Sequence, residues 1–204
     1  MIDALAACGF VVALWWGSTA ALLRLSRAEG GDARLAMLAM TALAGLAAAA
    51  LAARAQATTA AGAYLSFSAG LVLWGWHELS FLLGMIVGGR PTPCPPGVST
   101  RRRFGLALGT LWKHEVALAA TTALLLVATI DAANALGAYA FAALWLMRVS
   151  AKLNGFFGAP NLAHEFLPER LGQLASYCGA RRDVTPFFGV CITLATVALG
   201  ALVF

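Results

Sequence analysis

The chain has 204 residues, of which 61% are hydrophobic and 11% charged, against about 25% charged in ordinary soluble domains, and its mean hydropathy is +0.80. This excludes a typical soluble domain and leaves room for several spans of about 20 residues each. The formal charge of +5 is split among short connectors and builds no basic stripe, so it points to membrane topology and away from nucleic acid as a partner. Cys8, Cys94, Cys178 and Cys191 lie far apart with no Cys-x-x-Cys, which signals neither a zinc site nor a redox pair.

The first apolar run, residues 2–23, has no basic residue before it and is too long for a signal-peptide core, so it is expected to stay as a span. A polar connector with Arg24, Arg27 and Arg34 leads to the second run, residues 35–53, which is mostly alanine and suited to close packing. The third run, 61–89, ends in Gly88-Gly89-Arg90-Pro91. Pro93, Pro95 and Pro96 keep the next connector from being helical, and it closes on Arg101-Arg102-Arg103. A fourth run covers 104–130, a tight turn follows at Asp131 to Asn134, and a fifth run covers 135–157. Residues 168–178 read as an amphipathic interfacial helix, with Pro168 at its start and Leu167, Leu171, Leu174 and Cys178 at helical spacing. The last run, 184–204, carries Pro186 in its first turn.

The expected fold is therefore all-α: one polytopic integral membrane domain over residues 1–204, a bundle of about six transmembrane helices plus a cytoplasmic interfacial helix. Twelve of the Lys and Arg residues fall in the odd-numbered connectors and one, Arg54, in an even-numbered connector. The positive-inside rule then puts the odd connectors in the cytoplasm and both termini in the periplasm.

Against that background Trp74-Gly75-Trp76-His77-Glu78-Leu79-Ser80-Phe81 stands out, because it puts an imidazole and a carboxylate inside an apolar run. The fourth run carries Lys113, His114 and Glu115 at a similar expected depth, roughly 16 to 20 Å from the basic ends of the hairpin at about 1.5 Å per residue. Charges at that depth are costly and face the bundle interior in mutual pairs, so these residues are expected to meet between the two spans. Trp74 and Phe81 share a helical stripe with His77 and Glu78, and Trp76 and Trp112 extend an aromatic wall. Three readings stay open: a network that fixes helix register, a pigment or metal site with His77 or His114 as ligand, and a membrane-embedded catalyst. Catalysis lacks its usual signatures. None of the three His-Glu pairs continues to a second histidine one turn on, and no Glu-x-x-His pair is present. A second polar group, Arg148, Lys152, Asn154, Asn161, His164 and Glu165, lies at and after the end of the fifth run, either as a solvated loop or as the lining of an anionic headgroup pocket.

Trp74 to Phe81, the proline-rich Arg90 to Pro96, Lys113-His114-Glu115, Arg148 to Asn154, and Pro160 to Pro168 with Leu174 to Tyr177 together resemble the PuhE-type photosynthetic complex assembly proteins of purple phototrophic bacteria, which are encoded near the reaction-centre H subunit. The similarity runs from about residue 60 to about residue 180. It implies a protein of the bacterial cytoplasmic membrane, inner or intracytoplasmic, that aids assembly of the reaction centre and its core light-harvesting complex. Its implied partners are lipids and subunits of those complexes, and bacteriochlorophyll or a precursor becomes a candidate ligand, with His77 or His114 on its magnesium. The alternatives are an enzyme acting on a pigment or lipid through the buried His/Glu/Lys cluster, and a small-solute or proton transporter.

Overall fold

The computed structural model describes residues 2–159, 167–179 and 184–203. The described residues are all-helical, without strands: α1 (Ile2–Leu25), α2 (Gly30–Ala53), α3 (Ala60–Leu82), α4 (Thr100–Ala128), α5 (Leu136–Phe157), a 3-10 helix (Glu169–Tyr177) and α6 (Pro186–Val203). Three of these, Ala4–Leu25 within α1, α2 and α4, are long and apolar enough to cross a membrane by length and composition.

Helix boundaries follow local chemistry. Thr59 caps α3 by accepting from the Gly62 N–H at 3.1 Å, and Thr185 caps α6 by accepting from the Phe188 N–H at 3.2 Å, with Pro186 at the first helical position as expected. The third run was expected to stay helical to residue 89, but α3 ends at Leu82. Gly84 takes φ +75, its N–H reaches the Phe81 carbonyl at 2.8 Å, and the Met85 N–H reaches the Ser80 carbonyl at 2.9 Å. This is a Schellman stop, in which left-handed glycine closes the last turn. The segment expected as an amphipathic α-helix over 168–178 is a 3-10 helix. With three residues per turn, residues three apart eclipse. The repeat Leu171, Leu174, Tyr177 therefore lines one side, with Leu171 and Tyr177 buried.

The chain divides into two compact units, residues 1–87 with 113–144, and residues 88–112 with 145–204. In the first unit α3 is the central helix. Phe10 of α1 lies over Tyr64, with ring centroids 4.6 Å apart. On the α2 side Ala47 and Leu51 pack with Ala69, and the Trp76 indole N–H donates to Thr41 Oγ1 at 2.9 Å. Against α5 the backbones touch. A Cβ on Gly70 would overlap the Gly137 carbonyl oxygen, and one on Gly137 would overlap the Ser66 carbonyl oxygen. The Gly137 N–H donates to Ser66 Oγ at 2.9 Å, and Asn134 donates to the Gly62 carbonyl at 3.0 Å. Glycine is needed at both positions because only a bare Cα permits this approach.

The second unit is held by its connectors. The Tyr177 hydroxyl donates to the Thr92 carbonyl at 2.8 Å and accepts from Arg90 Nε at 2.9 Å. Beside it the Cys94 N–H donates to Ser176 Oγ at 2.8 Å. These bonds pin the proline-rich connector to the 3-10 helix. The Arg103 guanidinium lies 4.5 Å over the Phe156 ring and donates to the Phe156 carbonyl at 3.2 Å. Gly88 sits against α4, its N–H donating to the Thr110 carbonyl at 2.7 Å.

Candidate functional site: a buried imidazole and carboxylate seam

Within the first unit, α3 and α4 bring Glu78 and His114 together. His114 Nε2 lies 3.8 Å from Glu78 Oε1, inside ion-pair range and too long for a hydrogen bond. His114 is fully enclosed at 0% exposure, and Glu78 is buried. Phe81, one turn from His77 on α3, lies over the His114 ring with centroids 4.6 Å apart and planes tilted by 34°.

His77 turns elsewhere. Its Nε2 shares a 2.9 Å hydrogen bond with Thr121 Oγ1, and its ring meets Phe141 edge-on at 5.7 Å and Trp76 at 4.9 Å. Trp74 packs edge-on against the same Phe141 at 5.6 Å. His77 Nδ1 is buried and has no hydrogen-bond partner among the described residues. If Thr121 donates, that nitrogen carries an unmatched proton. If His77 donates, it keeps an open lone pair.

Of the residues expected to converge, Trp74, His77, Glu78, Phe81 and His114 do line one seam. Lys113 is exposed and Glu115 half-buried, so the lysine of the expected buried cluster stands on the outer face of α4. Adjacent residues on a helix point about 100° apart, and His114 takes the inward direction. Trp112, expected in the aromatic wall, is 49% exposed. The sequence reading did not single out Thr121 or Phe141. Thr121 had a signal: it stands seven residues after His114, two helical turns along the same face of the fourth run. Phe141 had none beyond hydrophobicity.

In the second unit Arg148 and Lys152 are half-buried and Asn154 is buried. Asn154 donates to the Ser150 carbonyl at 2.9 Å, while its Oδ1 has no hydrogen-bond partner among the described residues. Asn161, His164 and Glu165 lie outside the described residues. At the end of the 3-10 helix, burial raises the pKa of the Cys178 thiol above its ordinary value and the charge of Arg103 pulls partly back.

The seam can hold an ion pair between α3 and α4. It does not fit a metal ion, since no group of three His, Cys, Asp or Glu side chains converges among the described residues. It does not fit a tetrapyrrole in this arrangement either. An axial imidazole must face a slot wide enough for the macrocycle, whereas His114 is enclosed between Glu78 and Phe81, and His77 between Thr121, Phe141 and Trp76.

A family model described as "Protein of unknown function (DUF3623)" matches residues 1–204. The chain belongs to the DUF3623 family. A relative from Rhodobacter capsulatus, described as "Uncharacterized 30.4 kDa protein in puhA 5'region", is 37% identical over 191 residues, covering 92% of this chain and 69% of the relative. No solved structure matches.

Proposed function

We propose that this DUF3623 chain is an assembly factor for the bacterial photosynthetic reaction centre and its core light-harvesting complex. In this reading it crosses the cytoplasmic membrane six times, with both termini periplasmic. The carrying observation is that a relative 37% identical over 191 residues is assigned to a puhA 5' region, in keeping with the resemblance of residues 60–180 to assembly proteins encoded beside the reaction-centre H subunit. The geometry favours a protein scaffold over a pigment enzyme, because the imidazole and carboxylate seam is closed and lies between helices of one unit. Register fixing is the role such a seam serves best: a buried pair makes other pairings of α3 and α4 leave a lone charge in an apolar interior. If bacteriochlorophyll or a precursor is handed over, the contact lies outside this seam.

The test is an in-frame deletion in a phototrophic host. The expected result is a several-fold fall in reaction-centre and core-antenna absorbance with free pigment still made, restored by the intact chain. Unchanged complexes in the deletion strain would overturn the assembly role. Tetrapyrrole absorbance that co-purifies with the wild type and disappears when His77 and His114 become alanine would overturn the scaffold reading in favour of a pigment site.

A further inference from the structure

The second unit is strongly basic: Arg90, Arg101, Arg102, Arg103, Arg148, Lys152 and Arg170 stand against a single described carboxylate, Glu169. Some of this charge is committed within the protein, Arg90 to Tyr177 and Arg103 to Phe156. Arg101 and Arg102 are exposed at the start of α4, whose first turn has no acidic residue. Cations in a first helical turn run against the helix dipole, so this end of α4 favours an anion supplied from outside the helix.

The face below them is apolar. Arg101, Phe104, Leu108 and Trp112 recur at spacings of three and four and so share one stripe of α4. All four are exposed, Phe104 at 38%, Leu108 at 46% and Trp112 at 49%. Gly105 and Gly109 keep the adjoining surface bare, since a Cβ at either would meet nothing within 4 Å. From Arg101 to Trp112 the stripe runs about 16 Å at 1.5 Å per residue, close to half of a ~30 Å hydrocarbon core. A cation at the boundary above an apolar track one leaflet deep has the dimensions of a phospholipid.

We propose that this stripe binds an anionic phospholipid, its headgroup phosphate held by Arg101 and Arg102 and one acyl chain lying along Phe104, Leu108 and Trp112. The proposal rests on the membrane reading of α4 and is independent of the assembly role.

The test uses the full chain in mild detergent, exchanged with equal phosphatidylglycerol and phosphatidylcholine and read by native mass spectrometry. The wild type is expected to retain phosphatidylglycerol several-fold over phosphatidylcholine. R101Q/R102Q is expected to lose that preference, while R24Q/R27Q, altered in another basic connector, keeps it. F104A/L108A is expected to weaken retention of both lipids. Equal retention of the two lipids by the wild type, or loss of preference in R24Q/R27Q equal to that in R101Q/R102Q, would overturn the proposal. So would displacement of the lipid by an equal concentration of inorganic phosphate, which would mark a free-anion site. Should R101Q/R102Q not fold, raising salt on the wild type decides the matter: preference falling with ionic strength supports the arginine contact, and preference indifferent to it overturns it.

Discussion

Glu78 and His114 meet 3.8 Å apart across α3 and α4, with the imidazole wholly enclosed and capped by Phe81. Removing one member strands the other in an apolar interior, which costs about 3–5 kcal/mol where a buried pair is broken. H114L is therefore expected to destabilise strongly, and E78L/H114L to cost clearly less than the two single changes added together. Thermal unfolding of the four proteins in detergent measures this coupling. Strict additivity would remove the pair from the account of the fold.

The α3–α5 crossing gives a sharper contrast. G70A and G137A each force a methyl into a facing backbone carbonyl, and overpacking of this kind costs about 1–3 kcal/mol. G105A on α4 meets open space and is expected to be neutral or to stabilise by a few tenths of a kcal/mol up to about 1, since it restricts the unfolded chain. Melting temperatures of the three variants check the order.

Gly84 tests the helix stop. At φ +75 a Cβ is strained, so G84A is expected to cost about 1–2 kcal/mol, with G84N recovering part of it because asparagine tolerates the left-handed region. Equal stability of G84A and wild type would remove the Schellman stop.

In the second unit Y177F removes the hydroxyl that joins Arg90 and Thr92. The expected outcome is faster proteolysis within the connector at residues 91–99, with the helices before it cleaved at the wild-type rate. Limited proteolysis followed by mass mapping reads this directly.

Cys178 supplies a pH dependence. The thiolate is the charged form, so burial raises the pKa, the cation of Arg103 lowers it, and burial is the larger effect. Alkylation of Cys178 is expected to stay slow through neutral pH and to rise only above the ordinary thiol range. R103Q should move the midpoint higher still. A midpoint at or below the model-peptide value of about 8.5 would contradict the burial.

Much of the helix layout was legible because apolar runs, prolines and glycines announce themselves: α1, α5 and α6 fall where the runs do, while α2 and α4 begin earlier, at Gly30 and Thr100, inside the expected connectors. What was hidden turned on single residues. Leu83-Gly84-Met85-Ile86-Val87 reads as continuous hydrophobicity, and only the left-handed conformation of Gly84 ends the helix there. As a result Glu78 lies four residues from the end of α3, about 6 Å along the axis, and not at the middle of a span reaching residue 89. The three-residue repeat of Leu171, Leu174 and Tyr177 was visible but overshadowed by a competing four-three-four pattern. In the seam, residue types pointed to a meeting of polar groups between α3 and α4 without choosing Glu78 and His114 as the pair, and the outward turn of Lys113 depends on which way α4 is rotated, which three consecutive polar residues leave ambiguous.

The contact of Gly70 with Gly137 has a mechanical consequence. Two main chains in touch, with no side chain between them, have nothing to act as a bearing: a slide of even one residue would drive a Cβ into a peptide plane. Within the first unit α3 and the opening turns of α5 therefore travel as a welded strut, and compliance there has to come from other contacts.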